Sequence, residues 1–179
     1  NDWEHGVFLG SIMASEKTAA AEGTAGELRF DPMAMLPFCG YTMSDYFGPW
    51  LSMSNRCPSD KLPKIYSVNW FRKGPDGAFL WPGFTENARV LEWIIKRVDG
   101  SAAYRDTALG RAPVDGSINY AAAGVTRTAW EGLFATNREQ LLAEAEDTST
   151  FLQSYGPAVP EAITAQHEAL IARLHDLPY

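Results

Sequence analysis

The sequence predicts a mixed α/β domain, with strands in its first half and helices at its C-terminal end. Three observations carry this reading. The 179 residues suffice for one domain of ordinary size and are too few for two comfortable ones. Short apolar runs bounded by Gly, Pro, Asn and Asp crowd the first half. The last third instead places Leu and Ala at helical spacing between charged residues.

Each element follows from local chemistry. Residues 6–13 are mostly apolar with two glycines and read as a buried strand. Residues 14–26 are small, polar and free of aromatics, so they suit a mobile loop or a marginal helix. Residues 27–30 are a short strand candidate, stopped by Asp31 and Pro32. Over 44–53, Tyr46, Phe47, Trp50 and Leu51 fit a short amphipathic helix that must accommodate Pro49. Residues 62–71 give the next strand, with Ile65, Tyr66, Val68 and Trp70. The turn formers at 73–77 reverse the chain, so 79–81 would pair back as a hairpin. Val90, Leu91, Trp93, Ile94, Ile95 and Val98 follow helical spacing, with Thr85 as N-cap and Gly100 as the stop. A long surface connection is expected over 101–118. Helices over 138–155 and 161–177, separated by Pro157 and Pro160, complete the chain.

Composition narrows the function. Fifteen Lys and Arg stand against 22 Asp and Glu, a net charge of −7. Such a chain is poorly suited to grip a nucleic-acid backbone, which needs a basic patch. A free nucleotide requires only a small local site and remains a candidate partner. The longest apolar stretches are far short of a membrane span. Nothing at the N-terminus reads as a signal peptide, and the abrupt start without Met reads as part of something longer. Cys39 and Cys57 could form one disulfide, and the plainer reading is two reduced thiols of a cytoplasmic protein.

One stretch is unusual. Tyr66, Trp70, Phe71, Phe79, Trp81 and Phe84 place six aromatics in 19 residues, where the chain-wide 12% would give about two. Aromatics on a strand often only pack a core. The alternative is a slot for a flat ring, in which stacking contributes roughly 1–3 kcal/mol per base without choosing between bases. Choice requires hydrogen bonds. Glu86 and Asn87 follow the last aromatic at the start of a helix, and either could read guanine, whose O6 accepts beside N–H donors. Both could equally serve only the helix N-terminus. Other templates fail: there is no G-x-x-x-x-G-K-[ST] loop, no G-x-G-x-x-G and no Cys/His cluster with metal-ligand spacing. His5, His167 and His175 are scattered, and no Ser has an evident His partner.

Longer blocks carry a resemblance. Met-Ala-Ser-Glu-Lys-Thr-Ala-Ala-Ala-Glu at 13–22, Asp-Pro-Met-Ala-Met at 31–35 and Lys-Leu-Pro-Lys-Ile at 61–65 keep their order and spacing. So do Val-Asn-Trp-Phe-Arg-Lys at 68–73 and the run from Phe79 to Trp93 through Trp-Pro-Gly-Phe-Thr-Glu-Asn. Together they resemble the C-terminal part of GTP-dependent phosphoenolpyruvate carboxykinase, most specifically over residues 3–100. The resemblance implies that residues 1–179 form the C-terminal part of that enzyme's nucleotide-binding domain. Its base-binding segment is 62–100, its mobile lid 18–26 and its helical end 138–177. It further implies that Phe71 and Phe84 sandwich the guanine, Phe79 lines the edge and Asn87 hydrogen-bonds the base, with Trp70 and Trp81 as support. Thr18, Ala19, Ala20, Ala21 and Glu22 would belong to the lid. The implied reaction is oxaloacetate and GTP going to phosphoenolpyruvate, carbon dioxide and GDP, with Mn²⁺ and Mg²⁺ held by residues preceding this chain. Neither metal ligands nor catalytic groups are expected here, so these residues alone should be inactive. The parent enzyme is expected to be cytoplasmic and monomeric, with no nucleic-acid or membrane partner. Ala14 and Gly23 depart from the Arg and His of animal members, which affects the lid's latching contacts. The other reading is a stand-alone, non-enzymatic α/β module that binds nucleotides or another protein through its aromatic patch.

Overall fold

The computed structural model describes residues 2–16 and 28–177. The chain divides into two compact units, Asn1–Ile65 with Arg138–Tyr179, and Tyr66–Asn137. Among the described residues helices dominate, accompanied by two small antiparallel hairpins, one in each half of the chain. The expected concentration of strands in the first half is therefore corrected.

In the first unit, α1 (Trp3–Ser11) occupies much of the run expected as a buried strand. The reason is visible at both ends of its pattern. Asp2 caps it by accepting the His5 backbone N–H at 2.8 Å. Trp3, Val7, Phe8 and Ser11 are all buried, the i, i+4, i+5, i+8 spacing of one helical face rather than strand alternation. Gly6 earns its place here: a Cβ would stand 2.9 Å from the Cβ of Ile65, which packs against the helix backbone. Next, β1 (Ala14–Glu16) pairs antiparallel with β2 (Leu28–Phe30), with Ala14 opposite Phe30. The short strand expected at 27–30 is thus present, and 14–16 lies in its partner rather than in a loop. The remainder of 14–26, including the lid candidates Thr18 to Glu22, lies outside the described residues.

The helix α2 (Met43–Ser52) matches the expected 44–53 segment and contains Pro49, which gives up one backbone hydrogen bond. Helices α5 (Arg138–Gln153) and α6 (Glu161–His175) match the expected helical end. Val7, Phe8, Met43, Phe47, Leu152 and Ile163 form this unit's core. At about 1.5–3 kcal/mol for each fully buried large side chain, this cluster supplies much of the driving force for folding. Phe30 extends it by stacking on Phe151, with ring centroids 4.2 Å apart.

Two buried histidines sit beside this core. His167 contacts the Ala145 carbonyl through Nε2 at 2.9 Å. His5 lies 3.3 Å from Gln166 Oε1 through Nδ1, while its buried Nε2 has no partner. If Nδ1 carries the proton, Nε2 keeps a bare lone pair, and protonating it would bury an N–H with no acceptor. Burial is the main force holding the His5 pKa below its ordinary value; Arg173 adds to it, while Gln166 and Asp2 oppose it. The unfolded chain therefore binds this proton more readily. Stability should be unaffected well above the ordinary histidine pKa of about 6.5 and fall as pH drops below it, by at most about 1.4 kcal/mol per pH unit. Urea midpoints between pH 8 and pH 5 check this, and His5→Gln should flatten the slope.

In the second unit, the expected strand at 62–71, which crosses into it from the first, does not form. No described segment pairs with it, and Asn69 Oδ1 takes the Phe71 N–H at 3.0 Å, turning the chain. The 73–77 reversal is present, closed by Gly77 N–H on the Gly74 carbonyl at 3.0 Å, with Gly77 at φ +78°. The hairpin expected through 79–81 shrinks to one bridge between Lys73 and Phe79, beyond which Pro82 and Gly83 break any ladder. The helix α3 (Asn87–Val98) follows; Glu86, not Thr85, precedes it, and no side chain caps it. The expected surface connection over 101–118 contains a hairpin instead, β3 (Tyr104–Thr107) with β4 (Gly110–Pro113). Arg97 and Arg111 lie 4.2 and 4.6 Å from the centroid of the Tyr104 ring and fasten it. The helix α4 (Arg127–Phe134), not anticipated, is capped by Thr126 Oγ1, which accepts the Ala129 N–H at 3.1 Å. Trp81, Trp93, Ile118, Val125 and Trp130 form this unit's own core.

Candidate functional site

The aromatic stretch divides into two sets. Trp81 is buried in the core of its unit at 5% exposure, and Trp70 packs partly buried against the same cluster. The phenylalanines point outward: Phe71 is 71% exposed, Phe79 57% and Phe84 93%. Three phenyl rings left in water on neighbouring turns are costly, and contiguous exposed apolar surface marks binding sites more often than chance placement does. Phe71 and Phe79 approach edge-to-face, with centroids 6.1 Å apart. Local chemistry holds the segment open. The Asn69 turn presents Phe71, the Gly74–Gly77 turn presents Phe79, and Gly83 at φ +87° lets the chain swing Phe84 outward. Arg72 anchors the base of this arrangement by donating to the carbonyls of Leu133 and Ala135 at the end of α4.

The two polar candidates are differently committed. Glu86 is ion-paired with Arg89. Asn87 begins α3, and its Oδ1 accepts the buried indole N–H of Trp81 at 2.9 Å. That contact fixes the amide orientation and leaves its NH₂ as the free end, on a residue three positions after Phe84. Neither side chain makes a capping bond to the helix N-terminus. The Trp81–Asn87 contact and the Arg72 anchor are the features that sequence reasoning missed. Both join residues with no spacing signature, an indole to an amide and a guanidinium to carbonyls 61 and 63 residues away.

Concavity lies elsewhere in this unit. A cavity of about 300 Å³ opens between Arg105, Arg127, Trp130 and Phe134 and includes none of the exposed phenylalanines. Among the described residues no three His, Cys, Asp or Glu side chains gather to hold a metal ion. The described residues therefore offer no ligand cluster for Mn²⁺ or Mg²⁺, and no metal-dependent step is assigned to them. No described helix is long and apolar enough to cross a membrane.

A family model described as the phosphoenolpyruvate carboxykinase C-terminal P-loop domain matches residues 1–173. The chain belongs to the GTP-dependent phosphoenolpyruvate carboxykinase family. Phosphoenolpyruvate carboxykinase [GTP] of Neocallimastix frontalis is 48% identical over 173 residues, covering 96% of this chain and 28% of that protein. The protein of the same name from Arthrobacter sp. (strain FB24) is 42% identical over 174 residues, 97% of this chain and 28% of its own length. That of Chlamydia felis (strain Fe/C-56) is 45% identical over 163 residues, 90% of this chain and 27% of its own length. The chain thus spans little more than a quarter of these carboxykinases. The sequence resemblance and the comparisons agree on the family and on its C-terminal domain. The glycine-rich loop after which that domain is described has no counterpart among the 179 residues.

Proposed function

We propose that this chain supplies the guanine-binding end of a carboxykinase that converts oxaloacetate and GTP to phosphoenolpyruvate, carbon dioxide and GDP. The observation that carries the reading is the exposure of Phe71, Phe79 and Phe84 in a stretch followed directly by an asparagine whose carbonyl is already engaged by Trp81. Phe71 and Phe84 stack on the two faces of the purine, and Phe79 lines its edge. The free NH₂ of Asn87 donates to guanine O6. Adenine carries a donor at the same position, so the contact discriminates by leaving two donors face to face. Glu86, held by Arg89, stays out of the base contact. The role of these residues is to bind and orient the nucleotide, so that its γ-phosphoryl group meets the enolate oxygen formed by decarboxylation. Catalytic and metal-binding groups would come from outside this chain, which alone is inactive.

The segment 18–26 acts in this reading as a lid that excludes water from the enolate. Replacing Ala20 and Ala21 with leucine in a carboxykinase of full length should lower kcat several-fold, since bulk disturbs closure, and leave the GTP KM nearly unchanged. Steady-state kinetics with both substrates check it, and a parallel rise in the GTP KM would count against a lid.

The deciding experiment is a tryptophan-fluorescence titration of a full-length carboxykinase containing this sequence, with GDP and with ADP. This chain contributes six tryptophans, of which Trp70 and Trp81 adjoin the proposed slot. Saturable quenching by GDP and not by ADP is expected. An equal response to both would reduce the site to stacking without base choice, and silence to both would count against the slot.

A further inference from the structure

In the first unit, α5 and α6 leave between them a cavity of about 310 Å³, with Leu152, Val159 and Ile171 in its lining. That is the small end of the range for ligand pockets. Its polar groups are unevenly committed. Ser149 and Gln153 are bonded to each other, Gln153 Nε2 donating to Ser149 Oγ at 3.1 Å. His167 lines the cavity too and is 5% exposed. Its Nε2 meets the Ala145 carbonyl, which can only accept, so that nitrogen carries the proton. A neutral imidazole then has a bare lone pair on Nδ1, and no described residue donates to it. The next residue, Glu168, adds a carboxylate to the lining, and among the described residues it pairs with no cation.

A lone pair and a carboxylate both call for donors, and the surroundings call for positive charge. No lysine or arginine lines the cavity. Leu152 and Gln153 belong to the last turn of α5, where the helix dipole leaves partial negative charge and no basic residue offsets it. The positive end of α6 has its own counter-charge in Glu161. We propose that this cavity binds a small organic ammonium ion. Its N–H groups donate to His167 Nδ1 and Glu168, and its short hydrocarbon body lies on Leu152, Val159 and Ile171. A hydrated metal cation would leave the apolar lining unused, and a neutral alcohol would leave the carboxylate unpaired. The site lies within the first unit, while the rings of the base slot belong to the second, so the two readings stand or fall separately.

The test is saturation-transfer NMR on a full-length carboxykinase containing this sequence, at constant ionic strength. The probe is n-butylammonium, with n-butanol as the neutral control and butyrate as the anionic one. Saturable binding of the ammonium ion is expected with a Kd on the order of 1 mM, a tightness within reach of so small a ligand. Either control should bind at least about fivefold more weakly. Glu168→Gln, at an exposed position, should weaken the ammonium ion by about fivefold or more and leave the unfolding midpoint in place. Ile171→Ser should weaken n-butylammonium and leave methylammonium unchanged. The proposal is overturned if the ammonium ion shows no saturable binding, or if n-butanol binds as well. Unchanged affinity in Glu168→Gln would also overturn it, in favour of a general attraction of cations to a chain of net charge −7.

Discussion

Phe71→Ala or Phe84→Ala in a full-length carboxykinase is expected to raise the KM for GTP by roughly 5- to 150-fold, the equivalent of losing 1–3 kcal/mol of stacking on a base. The KM for oxaloacetate should move by less than about twofold, because neither ring has a part in binding a small dicarboxylate under this reading. The structure makes these substitutions unusually clean. Both rings are more than two-thirds exposed, so removing them leaves no cavity, and stability should stay within about 0.5 kcal/mol. A change in unfolding midpoint with equal shifts in both KM values would identify the rings as packing residues instead.

The second large effect is expected at Asn87. In Asn87→Asp one carboxylate oxygen can keep the Trp81 N–H, while the other replaces the NH₂ and turns a lone pair towards guanine O6. The kcat/KM for GTP should fall by about 100-fold or more, as expected when a donor that reads a buried polar atom becomes an acceptor. ITP shares the O6 acceptor and should fall with GTP. ATP, with a donor at that position, should hold or improve. Parallel kinetics with the three nucleotides separate this from general damage, which would lower all three alike. Trp81→Phe tests the positioning contact: it removes the indole N–H and frees the amide to rotate, so GTP selectivity should drop a few-fold at little cost in ATP turnover.

The helical elements were legible where periodicity extends over several turns. The 44–53 and 138–155 patterns and the helix after residue 87 repeat their apolar positions often enough to exclude strand alternation. The run at 6–13 misleads because eight mostly apolar positions, two of them glycine, suit either period. Asp2, the residue that decides it, lies just outside the run. The 62–71 segment has strand composition, but a strand requires a partner, and partnership is a property of other parts of the chain. The β3–β4 hairpin escaped notice because its strands are four residues long and have no buried position, with little alternation to detect. At the candidate site the aromatic density was visible, and so was the adjacency of Asn87. What composition could not show is that the same stretch sends its tryptophans inward and its phenylalanines outward.

Arg72 sits between Phe71 and the turn that presents Phe79, yet its guanidinium closes the carbonyl end of α4. A helix terminus 61 residues away is thereby finished by a side chain borrowed from the ring-bearing segment. The two places share one melting event: fraying at Leu133 releases Arg72, and loss of order around Phe71 strips α4 of its cap. Whatever tightens the rings must by thermodynamic reciprocity also shift the fraying equilibrium of that helix end towards its wound form.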